Sequence, residues 1–266
     1  MNGPVLQGRR VLVVGASAGI GRAVARLAIE AGADVLATAR RKEALAELVE
    51  QAGGGSFATI DLASPDDCAR LGREAKDALG AIDLAVFAAG TARLRRMDEM
   101  TAEDWAFTLN TNLVGINLAM AAISPHLSEI ALVAALSTES VRNPFHSLGS
   151  YAASKAALED SLRAWRGELH GTRFTCVTVG QTFPTEFGAN FEPDRLGPAL
   201  DAWAQQGKAQ AALMDTDQLA EVLLDSLAAV LPYPGVSMDD VVLRSAAPHT
   251  ASAQQMHEAA DYMGNT

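Results

Sequence analysis

The sequence has only two cysteines and no apolar run long enough to cross a membrane. Cys68 and Cys176 belong to no CxxC or Cys/His cluster, which argues against a zinc site or a disulfide framework. Charged or polar residues interrupt every apolar run well before about 18 residues, and residues 1–10 contain no apolar signal-peptide core. We therefore expect a cytoplasmic protein in a reducing compartment, with no spanning helix and no membrane partner.

Basic residues are also scarce. The chain has 21 Lys and Arg against 32 Asp and Glu, and its net charge of −11 disfavours a broad nucleic-acid surface. An acidic chain can still hold an anion in a local pocket. The five histidines never fall at metal-ligand spacing, so we predict no metal site. Hydrophobic residues at 49% and charged residues at 20% are typical of a globular chain and exclude intrinsic disorder.

Short apolar runs alternate with helical patterns along the chain. Seven of these runs are strand candidates, at residues 11–14, 34–38, 57–60, 82–88, 131–136, 174–179 and 241–243. The length of 266 residues leaves one large domain or two small ones open, but no linker interrupts the series. We predict one α/β domain over residues 1–266, a Rossmann fold with a doubly wound, seven-stranded parallel sheet and helices on both faces. Residues 183–215 are irregular, and we interpret them as a substrate-covering segment.

A glycine-rich turn separates the first strand from the first long helix. Gly15, Gly19 and Gly21 form GxxxGxG there, and Ser17 adds a hydroxyl. Glycines permit a tight turn in which backbone N–H groups approach a pyrophosphate at the positive end of the helix. The alternative is a turn that merely needs glycine conformations. The position between strand and helix favours dinucleotide binding.

The end of the second strand predicts which dinucleotide binds. An acidic side chain there would accept the ribose hydroxyls of NAD, but the sequence has Arg40 and Arg41. A guanidinium pairs well with phosphate, so we predict NADP(H) and consider NAD(H) the lesser alternative. The other interpretation is that the two arginines simply begin a solvated helix.

A second motif follows the fifth strand. Tyr151 and Lys155 form YxxxK, and this spacing places both side chains on one helix face. The glycine turn, Asp61-Leu62 after the third strand, Asn112 in a helix and YxxxK together resemble the short-chain dehydrogenase/reductase family, in its NADP-preferring subgroup. The resemblance covers about residues 9–244.

This resemblance implies roles for individual residues. Tyr151 would be the acid/base, and Lys155 would lower the phenol's pKa from about 10 and bind the nicotinamide ribose. Asn112 would help hold a water beside the lysine. Thr138 would steady the substrate oxygen. The residues that the resemblance assigns to the cofactor are Gly15, Ser17, Gly19, Ile20, Gly21, Arg40, Arg41, Asp61, Leu62, Ala88, Ala89, Gly90, Tyr151, Lys155 and Thr185.

The sequence departs from the family pattern at three places. Thr138 stands where the family usually has serine; threonine keeps the hydroxyl but adds a methyl group. The neighbouring Ser137 could serve instead, but strand alternation should turn its side chain to the opposite face. Phe87-Ala88 replaces an Asn-Asn pair after the fourth strand, and Gly180-Gln181 replaces Pro-Gly after the sixth.

The pocket-lining candidates predict the substrate. Mostly apolar side chains suggest a moderately large, uncharged ketone or secondary alcohol: Phe145, Leu148, Phe183, Phe187 and Phe191. A group of arginines leaves an acidic substrate open, although a solvated loop or intersubunit ion pairs are the preferred interpretation: Arg93, Arg95, Arg96 and Arg142.

Two function classes follow from these residues. We expect an NADP(H)-dependent oxidoreductase that transfers hydride between nicotinamide and a ketone or secondary alcohol. The alternative is an NADP-binding regulatory or scaffold protein of the same fold. Apolar helices at residues 102–123 and 151–169 further predict a homodimer or homotetramer.

Overall fold

A seven-stranded parallel sheet forms the centre of the protein. The computed structural model describes residues 3–264. The strands in chain order are β1 (Arg10–Val14), β2 (Asp34–Ala39), β3 (Ser56–Thr59), β4 (Ile82–Phe87), β5 (Leu127–Thr138), β6 (Arg173–Val179), β7 (Thr182–Phe183), β8 (Met214–Asp215) and β9 (Asp240–Leu243). The large sheet has the order β3-β2-β1-β4-β5-β6-β9, and all its pairings are parallel. The predicted doubly wound sheet is confirmed, and the order reverses between β1 and β4.

Helices cover both faces of this sheet. They are α1 (Gly3–Leu6), α2 (Gly19–Glu30), α3 (Lys42–Gln51), α4 (Pro65–Leu79), α5 (Ala102–Leu109), α6 (Ile116–Ile123), α7 (Gly149–Glu168), α8 (Pro193–Gln205), α9 (Thr216–Val230) and α10 (Ala253–Gly264). Val11 and Val13 of β1 face the core that contains α2 and α9. Leu12 and Val14 face the opposite core, which contains α4, α6 and α7. Side chains alternate along the strand, yet both sets are buried, so the strand is an unbroken apolar run.

A π-helical turn, Asn110–Gly115, joins α5 to α6. A Cβ atom at Gly115 would lie 1.9 Å from the Leu62 carbonyl oxygen, so the turn packs directly on the loop after β3. The sequence pattern predicted one helix here and did not reveal the wider turn. The run Ala102–His126 is long and apolar enough to span a membrane by composition, but Ile116, Ala119 and Ile123 are fully buried against the sheet.

The carboxyl ends of the sheet strands are covered by a layer that we call the cap, made of the β7–β8 ladder, α8 and α10. The segment at residues 183–215 contributes α8 and most of the ladder. Sequence reasoning gave residues after 244 no role, yet α10 packs along α8. The His257 ring nitrogen Nε2 lies 2.8 Å from a carboxylate oxygen of Asp201 on α8. The cap is therefore built from two distant parts of the chain.

Candidate active site

A large cleft lies between the carboxyl ends of the sheet strands and the cap. Its volume is about 1170 Å³, which exceeds the roughly 300–1,000 Å³ of ordinary small-molecule pockets. Strand-end residues Val14, Ala39 and Val179 line it on the sheet side. The cleft extends from Arg41 to Trp203, so it has room for a dinucleotide and a second molecule.

Tyr151 and Thr138 meet in the middle of this cleft. Thr138 ends β5, and Tyr151 lies in the first turn of α7. Burial raises the pKa of Tyr151 to about 12, and hydrogen bonding with Thr138 offsets only part of that rise. Lys155 is not among the causes of this shift, and its expected effect on the Tyr151 pKa stays a prediction. Burial dominates, so Tyr151 is held as a neutral phenol.

Lys155 lies one helical turn further along α7 and is almost fully buried. Its ammonium donates hydrogen bonds to the backbone oxygens of Leu136, at 2.8 Å, and Ala89, at 3.3 Å. Burial lowers the pKa of Lys155 to about 8, because few polar groups replace the water around the ammonium. The two carbonyls tie Lys155 to the ends of β4 and β5, facing the cleft.

Asn112 holds the elements around the cleft together. Its side-chain nitrogen donates to the Thr91 carbonyl oxygen at 2.8 Å, and its side-chain oxygen accepts from the Thr91 N–H at 2.8 Å. The same nitrogen donates to Ser154 at 3.0 Å, and the Ser154 hydroxyl donates to the Tyr151 carbonyl at 2.7 Å. Sequence reasoning missed Ser154, whose only signal was its place between the tyrosine and the lysine.

The position of Thr138, rather than Ser137, beside Tyr151 agrees with the alternation of side chains along β5. The Ser137 hydroxyl donates to a carboxylate oxygen of Glu159 at 2.6 Å, whereas Thr138 interacts with Tyr151. A further buried hydroxyl, Ser140, lies 3.2 Å from the Thr138 hydroxyl. The sequence had not pointed to Ser140, because its position depends on the short 3-10 turn that follows β5.

The glycine turn packs tightly between β1 and β4. Gly15 has a φ of +95°, and a Cβ there would lie 2.6 Å from the Ala89 nitrogen. A Cβ at Gly21 would lie 2.3 Å from the Gly15 carbonyl oxygen. The following helix, α2, has no side-chain cap and no acidic residue in its first turn. Its first N–H groups face the cleft with their positive dipole end, which suits the pyrophosphate of a dinucleotide.

The structure brings nearly all predicted cofactor residues to one surface. The residues that line the cleft are Gly15, Ser17, Gly19, Ile20, Arg40, Arg41, Asp61, Leu62, Ala88, Ala89, Gly90, Tyr151, Lys155 and Thr185. Gly21 lies behind this surface and supports it through its packing on Gly15, and Asn112 also lies behind the lining. At Ala88, where the family has an amide side chain, the backbone N–H donates to the Val14 carbonyl at 2.8 Å.

The two arginines after β2 differ in their contacts. The Arg41 guanidinium contacts Ser17 and also pairs with Glu186, at a closest nitrogen to oxygen distance of 2.6 Å. No hydrogen bond or ion pair joins the Arg40 side chain to the residues that the structure describes. The loop after β7, which carries Glu186, thus reaches across the cleft to Arg41.

The other arginines are paired within the chain. Arg93 pairs with Asp104 at 3.0 Å, and Arg95 pairs with Glu192 at 2.5 Å. Arg96 pairs with Asp98 at 2.7 Å. These three arginines and the exposed Arg142 lie outside the cleft lining. The first three arginines form ion pairs within the chain, and among the described residues none of the four contributes to the cleft lining a positive charge for an acidic substrate.

Aromatic side chains dominate the substrate end of the cleft. The five predicted apolar residues all line it: Phe145, Leu148, Phe183, Phe187 and Phe191. The rings of Tyr151 and Phe187 are 4.7 Å apart, and Phe145 meets Trp203 edge to face at 5.5 Å. Sequence reasoning missed Trp203, Met256 of α10 and the carboxylate of Glu139, which also face the cleft. Among the described residues, no group of three His, Cys, Asp or Glu side chains could hold a metal ion.

Known proteins share this sequence pattern and this fold. A family described as short chain dehydrogenase matches residues 9–195. A glycine betaine reductase of Emericella nidulans is 30% identical over 230 residues, covering 84% of this chain and 18% of that protein. The 3-oxoacyl-[acyl-carrier-protein] reductase FabG of Vibrio harveyi is 30% identical over 181 residues, covering 67% of this chain and 74% of that protein. A solved short chain dehydrogenase of Burkholderia cenocepacia, in complex with NADP, is 26% identical with a TM-score of 0.75, covering 94% of this chain and 99% of that one.

The chain therefore belongs to the short-chain dehydrogenase family of oxidoreductases. The uncapped α2 terminus, the glycine packing and the long cleft fit the nicotinamide dinucleotide that this family uses. The chain spans less than a fifth of the length of the betaine reductase.

Proposed function

We propose that the protein is an NADP(H)-dependent oxidoreductase that interconverts a ketone and a secondary alcohol. The observation that carries this proposal is the meeting of a neutral Tyr151, the Thr138 hydroxyl and the buried Lys155 ammonium in one cleft. Tyr151 and Thr138 offer two adjacent hydroxyl donors to a substrate oxygen that gains negative charge, and the Lys155 ammonium lines the same cleft.

The neutral state of Tyr151 suits proton donation. As the carbonyl oxygen of a ketone becomes an alkoxide, the Tyr151 hydroxyl gives it a proton, and the Thr138 hydroxyl donates a hydrogen bond to the same oxygen. Bound NADPH would supply the hydride to the carbonyl carbon. The Lys155 ammonium is charged below pH 8 and favours the phenolate that remains on Tyr151. In the oxidative direction the same groups act in reverse.

The NADP(H) assignment depends on the end of β2. Arg40 and Arg41 follow β2 there and line the cleft together with Ser17. Neither of these two residues carries a carboxylate that could accept the ribose hydroxyls of NAD. A guanidinium holds a phosphate through paired, charge-assisted hydrogen bonds. One structural relative was solved with NADP, which agrees with this assignment.

The substrate assignment depends on the cap. Phe145, Phe187 and Trp203 form an apolar wall, and no arginine outside the dinucleotide end lines the cleft. An uncharged ketone or alcohol with a bulky apolar group fits that wall, since its burial releases water from the aromatic surfaces.

We further propose that the protein is cytoplasmic and forms a homodimer or homotetramer through α5 and α6. Fewer apolar side chains are available for an interface than the sequence suggested, because Met120, Leu158 and Leu162 are buried in the core. Val114 and Leu118, at 46% and 40% exposure, remain for an interface. A monomer mass in light scattering at micromolar concentration would contradict this assembly.

The Tyr151→Phe variant tests the proposed function. We expect it to lose about 10²–10⁴-fold in turnover while binding NADPH like the wild type, because only the transferable proton is removed. Turnover is measured as NADPH oxidation against a panel of ketones. Tyr233→Phe is the matched control, since Tyr233 is 62% exposed and outside the cleft. A regulatory or scaffold protein would bind NADPH, show no turnover with any ketone, and keep its function in Tyr151→Phe.

A further inference from the structure

Glu186 occupies the face of Arg41 that a phosphate would need. One guanidinium nitrogen donates to a Glu186 carboxylate oxygen at 2.9 Å, and a second nitrogen lies 2.6 Å from the other oxygen. The second nitrogen, Nη2, also lies 3.2 Å from both the hydroxyl and the carbonyl oxygen of Ser17, and Nε donates to the Ser17 hydroxyl at 3.4 Å. All three guanidinium nitrogens therefore already have partners within the chain.

The carboxylate comes from the opposite wall of the cleft. Glu186 directly follows Thr185, and Thr185 contacts the glycine turn, because a Cβ at Gly19 would lie 3.4 Å from the Thr185 Cβ. The side chains of Arg41 and Glu186 are 48% and 54% exposed. Both line the dinucleotide end of the cleft, as does Arg40.

We infer that Glu186 sets the selectivity between NADP(H) and NAD(H). This inference rests on the proposed NADP(H)-dependent function. A 2′-phosphate placed between Arg40 and Arg41 must displace the Glu186 carboxylate from Arg41 and then remains close to a like charge. Arg40 is the arginine that receives the phosphate without displacing a partner. NAD carries no 2′-phosphate, so its binding does not compete with Glu186.

Neutralising Glu186 therefore strengthens the binding of one dinucleotide only. Exposed ion pairs are weak, and removing the like charge also favours the phosphate, so we expect Glu186→Gln to bind NADP⁺ about three- to tenfold more tightly. NAD⁺ affinity should change by less than about twofold, because NAD⁺ has no 2′-phosphate that competes with Glu186 for Arg41. Arg40→Ala should weaken NADP⁺ binding more than Arg41→Ala does.

The experiment is calorimetric titration of the full chain with NADP⁺ and with NAD⁺. Glu192→Gln is the matched control, because Glu192 also pairs with arginines but lies outside the cleft lining. The expected result is tighter NADP⁺ binding in Glu186→Gln and no change in Glu192→Gln.

Two results would overturn the inference while leaving the oxidoreductase function intact. One is unchanged NADP⁺ affinity in Glu186→Gln. The other is weaker NAD⁺ binding in that variant, which would make Glu186 a ribose acceptor instead. If the wild-type chain binds neither dinucleotide, the proposed function fails, and the inference fails with it.

Discussion

The two walls of the cleft are held in place by different kinds of contact. On the sheet side, backbone packs on backbone: the glycine turn touches Ala89, and Lys155 donates to two strand-end carbonyls. On the cap side, aromatic side chains form the lining, and ion pairs such as Arg95 with Glu192 tie the cap to the sheet loops. Atoms added on the sheet side therefore collide with backbone, whereas side chains on the cap side can be replaced by others that still pack.

Of the changes that compare the two walls, the one with the largest expected effect lies on the sheet side, at Thr138. The Thr138→Val variant keeps the shape of the side chain but removes the hydroxyl, and we expect turnover to fall about 10²–10³-fold. Steady-state kinetics with NADPH and a ketone substrate give the comparison. Thr138→Ser retains the hydroxyl and should keep most of the activity. Near-full activity in Thr138→Val would assign the donor role to another group, such as Ser140.

The Gly21→Ala variant tests whether the sheet side tolerates added atoms. The new Cβ would overlap the Gly15 carbonyl oxygen at 2.3 Å, so backbone must move, and we expect a loss of about 3 kcal/mol in the free energy of unfolding. Urea denaturation measures it, and dinucleotide affinity should fall too. Gly167→Ala is the control, because nothing lies within 4 Å of its Cβ position on α7. Equal stability of both variants would contradict the described packing.

The smallest effect is expected on the cap side. Trp203 meets Phe145 edge to face and donates to the His146 carbonyl at 2.9 Å. We expect Trp203→Phe to raise KM for the ketone about three- to tenfold with little change in kcat, since a smaller ring still covers the pocket. Trp165→Phe, which changes a ring stacked on Phe174 away from the cleft, should leave KM unchanged. A fall in kcat alone for Trp203→Phe would mean that the cap positions the reacting groups.

The same division explains what the sequence could predict. The sheet and the glycine turn were predictable because strand, turn and helix follow one another within about 20 residues, and local patterns define them. The position of Thr138 followed from alternation along β5. The burial that raises the pKa of Tyr151 could not be predicted, because it depends on side chains from distant parts of the chain, and no local pattern reports that.

The cap could not be predicted for a related reason. Its contacts join residues that are far apart in the chain, such as His257 with Asp201 and Arg95 with Glu192. In the sequence, each of these partners taken alone is typical of a charged side chain exposed to solvent. The π-helical turn at Asn112 was also hidden, because its apolar pattern resembles that of a continuous helix.

The position of α10 has a consequence for the order in which the site forms. All seven strands of the sheet precede α10 in the chain, and Met256 of α10 lines the cleft. As the chain leaves the ribosome from its amino end, the dinucleotide wall emerges complete while the wall facing the second molecule is still unfinished. During synthesis, the wall proposed to bind the dinucleotide can thus form before the opposite wall of the cleft is complete.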